Sequence, residues 1–113
     1  MYYMREGKRS PINRNNQPAY HVFPAAAGNP LTLSLEQLQH DMAVNFTSAY
    51  ILAQEAVKGF ESIPEDVPTS FIYTANGLNL MPQPRLVSLG VGKIAIGHVI
   101  ENAIIAFKEK GWT

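Results

Sequence analysis

The 113-residue chain contains no cysteine. Disulfides, thiolate nucleophiles and cysteine-based zinc sites are therefore excluded outright. Net charge is also missing, because nine basic residues cancel nine acidic ones. No global field would draw the molecule to nucleic acid or to an anionic membrane. Glycine-rich phosphate loops are absent as well: the sequence holds neither G-x-G-x-x-G nor G-x-x-x-x-G-K-S/T, and no G-x-S-x-G elbow. Gly90-Val91-Gly92-Lys93 has the look of a fragment of such a loop but lacks its spacing. The three histidines, His21, His40 and His98, lie far apart in the chain with no helical spacing between any two, so no metal site is expected. The few carboxylates are not paired in the manner of a glycosidase.

What remains is the composition of one small globular domain, 46% hydrophobic and 16% charged. Such a chain has too much apolar surface and too little charge for disorder. The first residues, MYYMREGKRS, carry no apolar core of a secretory signal. The longest apolar stretch, Leu86 to Phe107, is interrupted by Lys93, His98 and Glu101, which argues against a transmembrane span. The expected compartment is the cytoplasm.

Residues 1–19 read as a basic arm without regular structure. Arg5, Lys8, Arg9 and Arg14 against Glu6 leave it at +3 and the remainder at −3. Four cations without interleaved aromatics are a weak nucleic-acid signal, and no nucleic-acid partner is expected. Tyr20-His21-Val22-Phe23 suits a short strand, ended by Pro24 and followed by the small-residue turn Ala25-Ala26-Ala27-Gly28. Ser34, with Gln37 three residues on, forms a capping box, and an apolar stripe then runs to about Phe60. A helix of that length is expected to bend near Asp41. Asn45 lies in the apolar surround, so its amide either ties the helix to neighbouring backbone or lines a site.

Phe71-Ile72-Tyr73 reads as a second strand and Pro82 and Pro84 as loop. From Gly90 a second helix follows, apolar nearly all round, with Lys108 and Lys110 in its last turn and Gly111 beyond. The order strand, helix, strand, helix predicts an α/β unit over residues 20–113. Its two strands would be parallel, with both helices on one face. A helix so apolar implies a partner or a further layer.

Three segments, MAVNFTSAYILAQEA, FIYTANGLN and SLGVGKIAIGHVI, resemble the short-chain dehydrogenase/reductase family, and fungal members in particular. The resemblance covers about Tyr20 to Trp112 and implies part of a Rossmann-like domain, from its fourth strand to its fifth helix. It further implies NAD or NADP as cofactor and oxidoreductase chemistry. In that chemistry a tyrosine moves the proton, a lysine lowers its pKa and holds the ribose, a serine orients the substrate oxygen and a helix asparagine supports a water relay. Matched residue by residue, Lys93 takes the lysine position and Asn45 the asparagine. Leu89 falls where the tyrosine belongs, and Asn76 where the serine belongs. Ala25 and Ala26 fall beside the cofactor, after Pro24, which replaces the asparagine usual at the end of the fourth strand.

Asn76 can still donate a hydrogen bond, but Leu89 cannot exchange a proton, and losing a general acid/base typically forfeits ~10²–10⁴ in rate. The implied protein is thus a truncated, catalytically impaired reductase. The alternative is a non-catalytic interaction module. In either case, helices near 35–60 and 90–110 would associate with a second copy or with a full-length relative.

Overall fold

The computed structural model describes residues 2–5, 8–11, 20–72 and 81–113. Tyr73, Asn76 and Gly77 lie outside the described residues. Three helical stretches carry most of the described chain. The first, α1 (Leu35–Met42), is opened by the expected capping box: Ser34 accepts from the Gln37 amide while the Gln37 side chain accepts from the Ser34 amide, each at 3.1 Å. Two donors that the helix start would otherwise leave unpaired are thereby satisfied. The chain continues without a break through a π-helical segment, Ala43–Thr47, into α2 (Ser48–Glu61).

Where a bend is expected near Asp41, the helix widens into this π segment just beyond it. Its wider turn has a consequence for packing. In an α-helix of about 3.6 residues per turn, positions four apart drift around the axis. Across the π segment Asp41, Asn45 and Ala49 instead stay on one inward face, and all three are almost fully buried. Ser48 also turns its hydroxyl back onto the Val44 carbonyl at 2.5 Å, one turn earlier.

The last helix, α3 (Val87–Ala106), begins three residues earlier than the glycine-based expectation, because a 3₁₀ turn, Pro84–Leu86, leads straight into it. Pro84 stands at the first position of that turn, where its missing N–H costs nothing. A second 3₁₀ turn, Lys108–Lys110, follows the helix and is closed by Gly111 in the left-handed conformation (φ 66°). Ser88, Leu89, Gly92 and Ile96 face inward, and α3 packs chiefly against α1 and the π segment. Its other side is bare: Val91, Ile94, Ile104 and Ile105 are 47–77% exposed. By length and composition alone Pro84–Ala106 could cross a membrane, and only 17% of that apolar window is buried.

The parallel strand pair is not found among the described residues. Tyr20–Phe23 belongs to no ladder. Its amides are spent on helix side chains, His21 on Asn45 and Phe23 on Asp41, and not on a neighbouring strand. Two strands fall within the stretch expected to be an unstructured arm, β1 (Tyr2–Arg5) and β2 (Lys8–Pro11). They form an antiparallel sheet with β3 (Ser70–Ile72) in the order β2-β1-β3, with Tyr3 opposite Phe71. The resulting architecture is helical with a small antiparallel sheet. β3 is thus a strand as expected, but its partner is antiparallel β1 and not a parallel strand at 20–23.

The chain end closes this region. The Phe71 amide donates to the Thr113 carbonyl (2.7 Å) and the Thr113 amide to Thr69 (3.3 Å). Trp112 meets Phe60 and Phe107 with ring centroids 5.6 and 5.1 Å apart, joining α2, α3 and the C-terminus in one aromatic cluster.

Candidate functional site

The site is assembled where α3 crosses the π segment and both meet residues 21–25. Asn45 is fully buried, and its amide clasps one residue: Oδ1 accepts from the His21 amide (2.9 Å) and Nδ2 donates to the His21 carbonyl (2.6 Å). Of the two roles open to this side chain, the structure displays the tie to neighbouring backbone. The bulged helix brings the amide alongside the His21 backbone. α3 in turn comes so near that a Cβ on Gly92 would sit 2.6 Å from the Asn45 Cβ. Gly92 is therefore a contact that only glycine makes without displacement.

One turn before Asn45, Asp41 is likewise fully buried. Its Oδ1 accepts from His21 Nδ1 at 2.7 Å; Oδ2 accepts from the Phe23 amide at 2.8 Å and from the Ser88 hydroxyl at 2.5 Å. Burial by itself would raise the pKa of this carboxyl. Hydrogen bonds from Ser88, His21 and Phe23, with the charge of His21, outweigh it and hold Asp41 below the ordinary carboxylate value. The ionised form is the one this cage is built around. His21 completes the cluster with its side chain 40% exposed, its ring edge-on to both Phe23 and His40 at 4.7 Å. The carboxylate sits between the histidine and the serine. Ser88 Oγ is thus turned to Asp41 and not to an imidazole base, unlike the arrangement of a nucleophilic triad.

The positions singled out from sequence divide into two groups. Asn45 and Leu89 are both buried, Leu89 being only 8% exposed. Lys93 follows Gly92 on α3 and is half-buried. Ala25 is buried and its amide donates to the Arg85 carbonyl (3.0 Å), while the Ala26 amide donates to the Thr32 hydroxyl (2.7 Å). Neither amide is left over for a phosphate. Asn76 lies outside the described residues. Among the described residues no group of three or more His, Asp or Glu side chains is placed to hold a metal ion.

Asp41, His21 and Ser88 were not singled out from sequence as members of a site. A signal was present: Asp41 and Asn45 stand four apart on the apolar side of one helix, where an unpaired carboxylate could not stay.

Compared with known proteins, the chain is 34% identical over 98 residues to a curated protein of Cryptosporiopsis sp. (strain 8999), described as "Short chain dehydrogenase/reductase dmxR12". The match takes in 87% of this chain and 40% of that protein, so the chain spans well under half the length of its relative. No family model matches the chain, and no solved structure does.

Proposed function

The chain belongs to the short-chain dehydrogenase/reductase family, and from that premise we propose that it is a reductase-type scaffold impaired in hydride-transfer chemistry. The observation that carries this reading is the identity and burial of Leu89, four residues before Lys93 where the family places its proton-transferring tyrosine. A buried leucine has no proton to give and cannot be reached by a substrate carbonyl. Asn45, whose amide is consumed by the His21 backbone, offers little to a water relay. The family's cofactor is NAD or NADP, and the described residues do not fit it well. The Ala25 and Ala26 amides are engaged elsewhere, and the sequence has no glycine-rich turn for the pyrophosphate.

Equilibrium titration of the purified chain with NADH and NADPH tests the reading. The expected outcome is no saturable binding and no oxidation of either nucleotide with carbonyl substrates. Tight binding of either one would overturn it.

A second reading concerns α3 and is supported by its bare side. The helix is apolar nearly all round yet mostly uncovered, which suits a module that associates through helices 35–60 and 90–110, with itself or with a longer relative. The two readings are compatible, since a scaffold without catalysis keeps its association surface.

A further inference from the structure

The rings of His21, Phe23 and His40 meet beside the buried carboxylate of Asp41. The centroids of His21 and His40 lie 4.7 Å apart with their planes at 82°, and Phe23 packs 4.7 Å from the first and 5.6 Å from the second. Spacing along the chain gives no reason to join two histidines from different elements. The fold joins them: the Asn45 clasp holds residue 21 against the helix, and His40 stands in the last turn of α1, directly before Asp41. Packing alone would account for three touching rings. It would not account for how the imidazole nitrogens are disposed.

Asp41, held ionised by its donors, can only accept. His21 Nδ1, 2.7 Å from its Oδ1, must therefore carry a proton. When the ring is neutral, its lone pair is on Nε2. That nitrogen has no hydrogen bond among the described residues, and the side chain is 40% exposed. The exposed His40 ring likewise has none among the described residues, so it can turn about Cβ–Cγ without breaking one. A carboxylate that takes the other ring proton is the usual support of a metal-bound histidine, since it fixes the tautomer and orientation and raises the basicity of the ligand nitrogen. The Asp41 charge adds attraction for a cation, and Phe23 supplies an apolar wall.

We propose that His21 and His40 bind a divalent late transition-metal ion through one nitrogen each, with water completing the coordination and Asp41 orienting His21. The ring separation suits this. A ligand nitrogen lies about 2.0–2.1 Å from such an ion and about 1.1 Å from its own ring centre, which puts each centre about 3.2 Å from the metal. Two ligands at a right angle then have centres about 4.5 Å apart, and two at the tetrahedral angle about 5.2 Å. The observed 4.7 Å falls between them. With imidazole ligands and no thiolate, Cu²⁺ should bind more tightly than Ni²⁺ or Zn²⁺. Asp41 is buried with both oxygens engaged, so it is a positioning residue and not a third ligand. The site uses neither Leu89 nor Lys93 and does not depend on whether the chain moves hydride.

The sequence has three histidines and no cysteine, which makes His98 an internal control. Calorimetric titration with Cu²⁺ in a non-coordinating buffer should show a single tight site, and electron paramagnetic resonance should show two coordinated nitrogens. Loss of a group that only orients a ligand typically costs about 10–100-fold in metal affinity, so Asp41→Asn should fall in that range and His40→Gln, which removes a ligand, should lose at least ~10-fold. Nitrogen-15 spectra should place the His21 ring proton on Nδ1 in the wild type and redistribute it in Asp41→Asn, a change that loss of stability alone would not produce. His98→Gln should leave the affinity unchanged. The His40 side chain makes no hydrogen bond among the described residues, and far-ultraviolet circular dichroism checks that His40→Gln is folded.

Affinity that survives His40→Gln, or a single coordinated nitrogen, would overturn the site. An equal loss in His98→Gln would do the same, by showing adventitious binding to surface histidines. Absence of any Cu²⁺ binding would end the proposal outright.

Discussion

Asn45 holds His21 by both ends of its backbone, accepting from the amide at 2.9 Å and donating to the carbonyl at 2.6 Å. One side chain thereby does for the segment at His21 what a neighbouring strand does in a ladder. It can do so because the π segment turns residue 45 squarely inward. Such bulges are frequently found at functional sites; here the bulge serves to dock residues 20–25 against the helices.

Asn45→Ala should therefore cost far more than a surface change. It leaves the part-buried N–H and C=O of His21 without partners, at up to about 1–3 kcal/mol each. Asn45→Asp keeps the acceptor for the amide but sets an oxygen against the His21 carbonyl, and should not rescue. Urea unfolding followed by the emission of the single tryptophan measures both; a loss under about 1 kcal/mol for Asn45→Ala would mean that the clasp is not a stabilising contact.

Two glycines of α3 should respond in opposite directions to the same substitution. Gly92→Ala drives a Cβ to 2.6 Å from the Asn45 Cβ, so the helices must separate, at a cost of roughly 1–3 kcal/mol. Gly97→Ala meets nothing within 4 Å and should gain about 0.5–1 kcal/mol from helix propensity alone. Thermal unfolding of the pair separates a packing requirement from an intrinsic preference, and equal shifts would discard the close approach of α3 to Asn45.

Much of this was legible in the sequence, and the limits of legibility have physical causes. The capping box at Ser34 and Gln37, the long helix through Asn45 and the apolar α3 all follow from local chemistry and from period. The pairing of strands does not. Phe71-Ile72 is visibly a strand, but an apolar run says nothing about which edge will meet it, and here β1 lies antiparallel against it. Tyr20–Phe23 has strand-like composition, yet the His21 and Phe23 amides donate to Asn45 and Asp41, residues twenty or so positions away. The cluster at Asp41 was hidden for the same reason: its three partners come from residues 21, 23 and 88, brought together only by the fold. Family resemblance placed Leu89 and Lys93, while the close fit of Gly92 became visible only once the helices were packed.

The aromatic cluster at the chain end should act as a clamp on β3. Trp112 packs against Phe60 and Phe107, and Thr113 bonds to Thr69 and Phe71. Trp112→Ala removes the ring that ties these elements and should destabilise by about 3–5 kcal/mol, less where the site can collapse. Hydrogen exchange at the Phe71 amide, which donates to Thr113, should accelerate more than exchange within α1. Uniform acceleration would place Trp112 in the general core and not in a local clamp.

Acid should weaken the fold through Asp41. The carboxyl has a folded-state pKa below its ordinary value near 3.8 because Ser88, His21 and Phe23 all donate to its ionised form. A depressed pKa means that the unfolded chain binds the proton more readily than the folded one. The resulting stability is fully present above the unfolded value and is lost as pH falls through the folded one. Wild-type stability should accordingly decline from about pH 5 downward. Asp41→Asn should be less stable near neutrality, since a neutral amide cannot accept equally from three donors, and its curve should be flatter at low pH. Ser88→Ala removes one of those donors, so it should move the wild-type acid limb toward higher pH, as the folded pKa returns toward the ordinary value. Unfolding free energies measured from pH 3 to pH 7 on the three proteins decide the matter. An Asp41→Asn curve parallel to that of the wild type would assign the acid sensitivity to other carboxylates and leave the buried cage without a role in it.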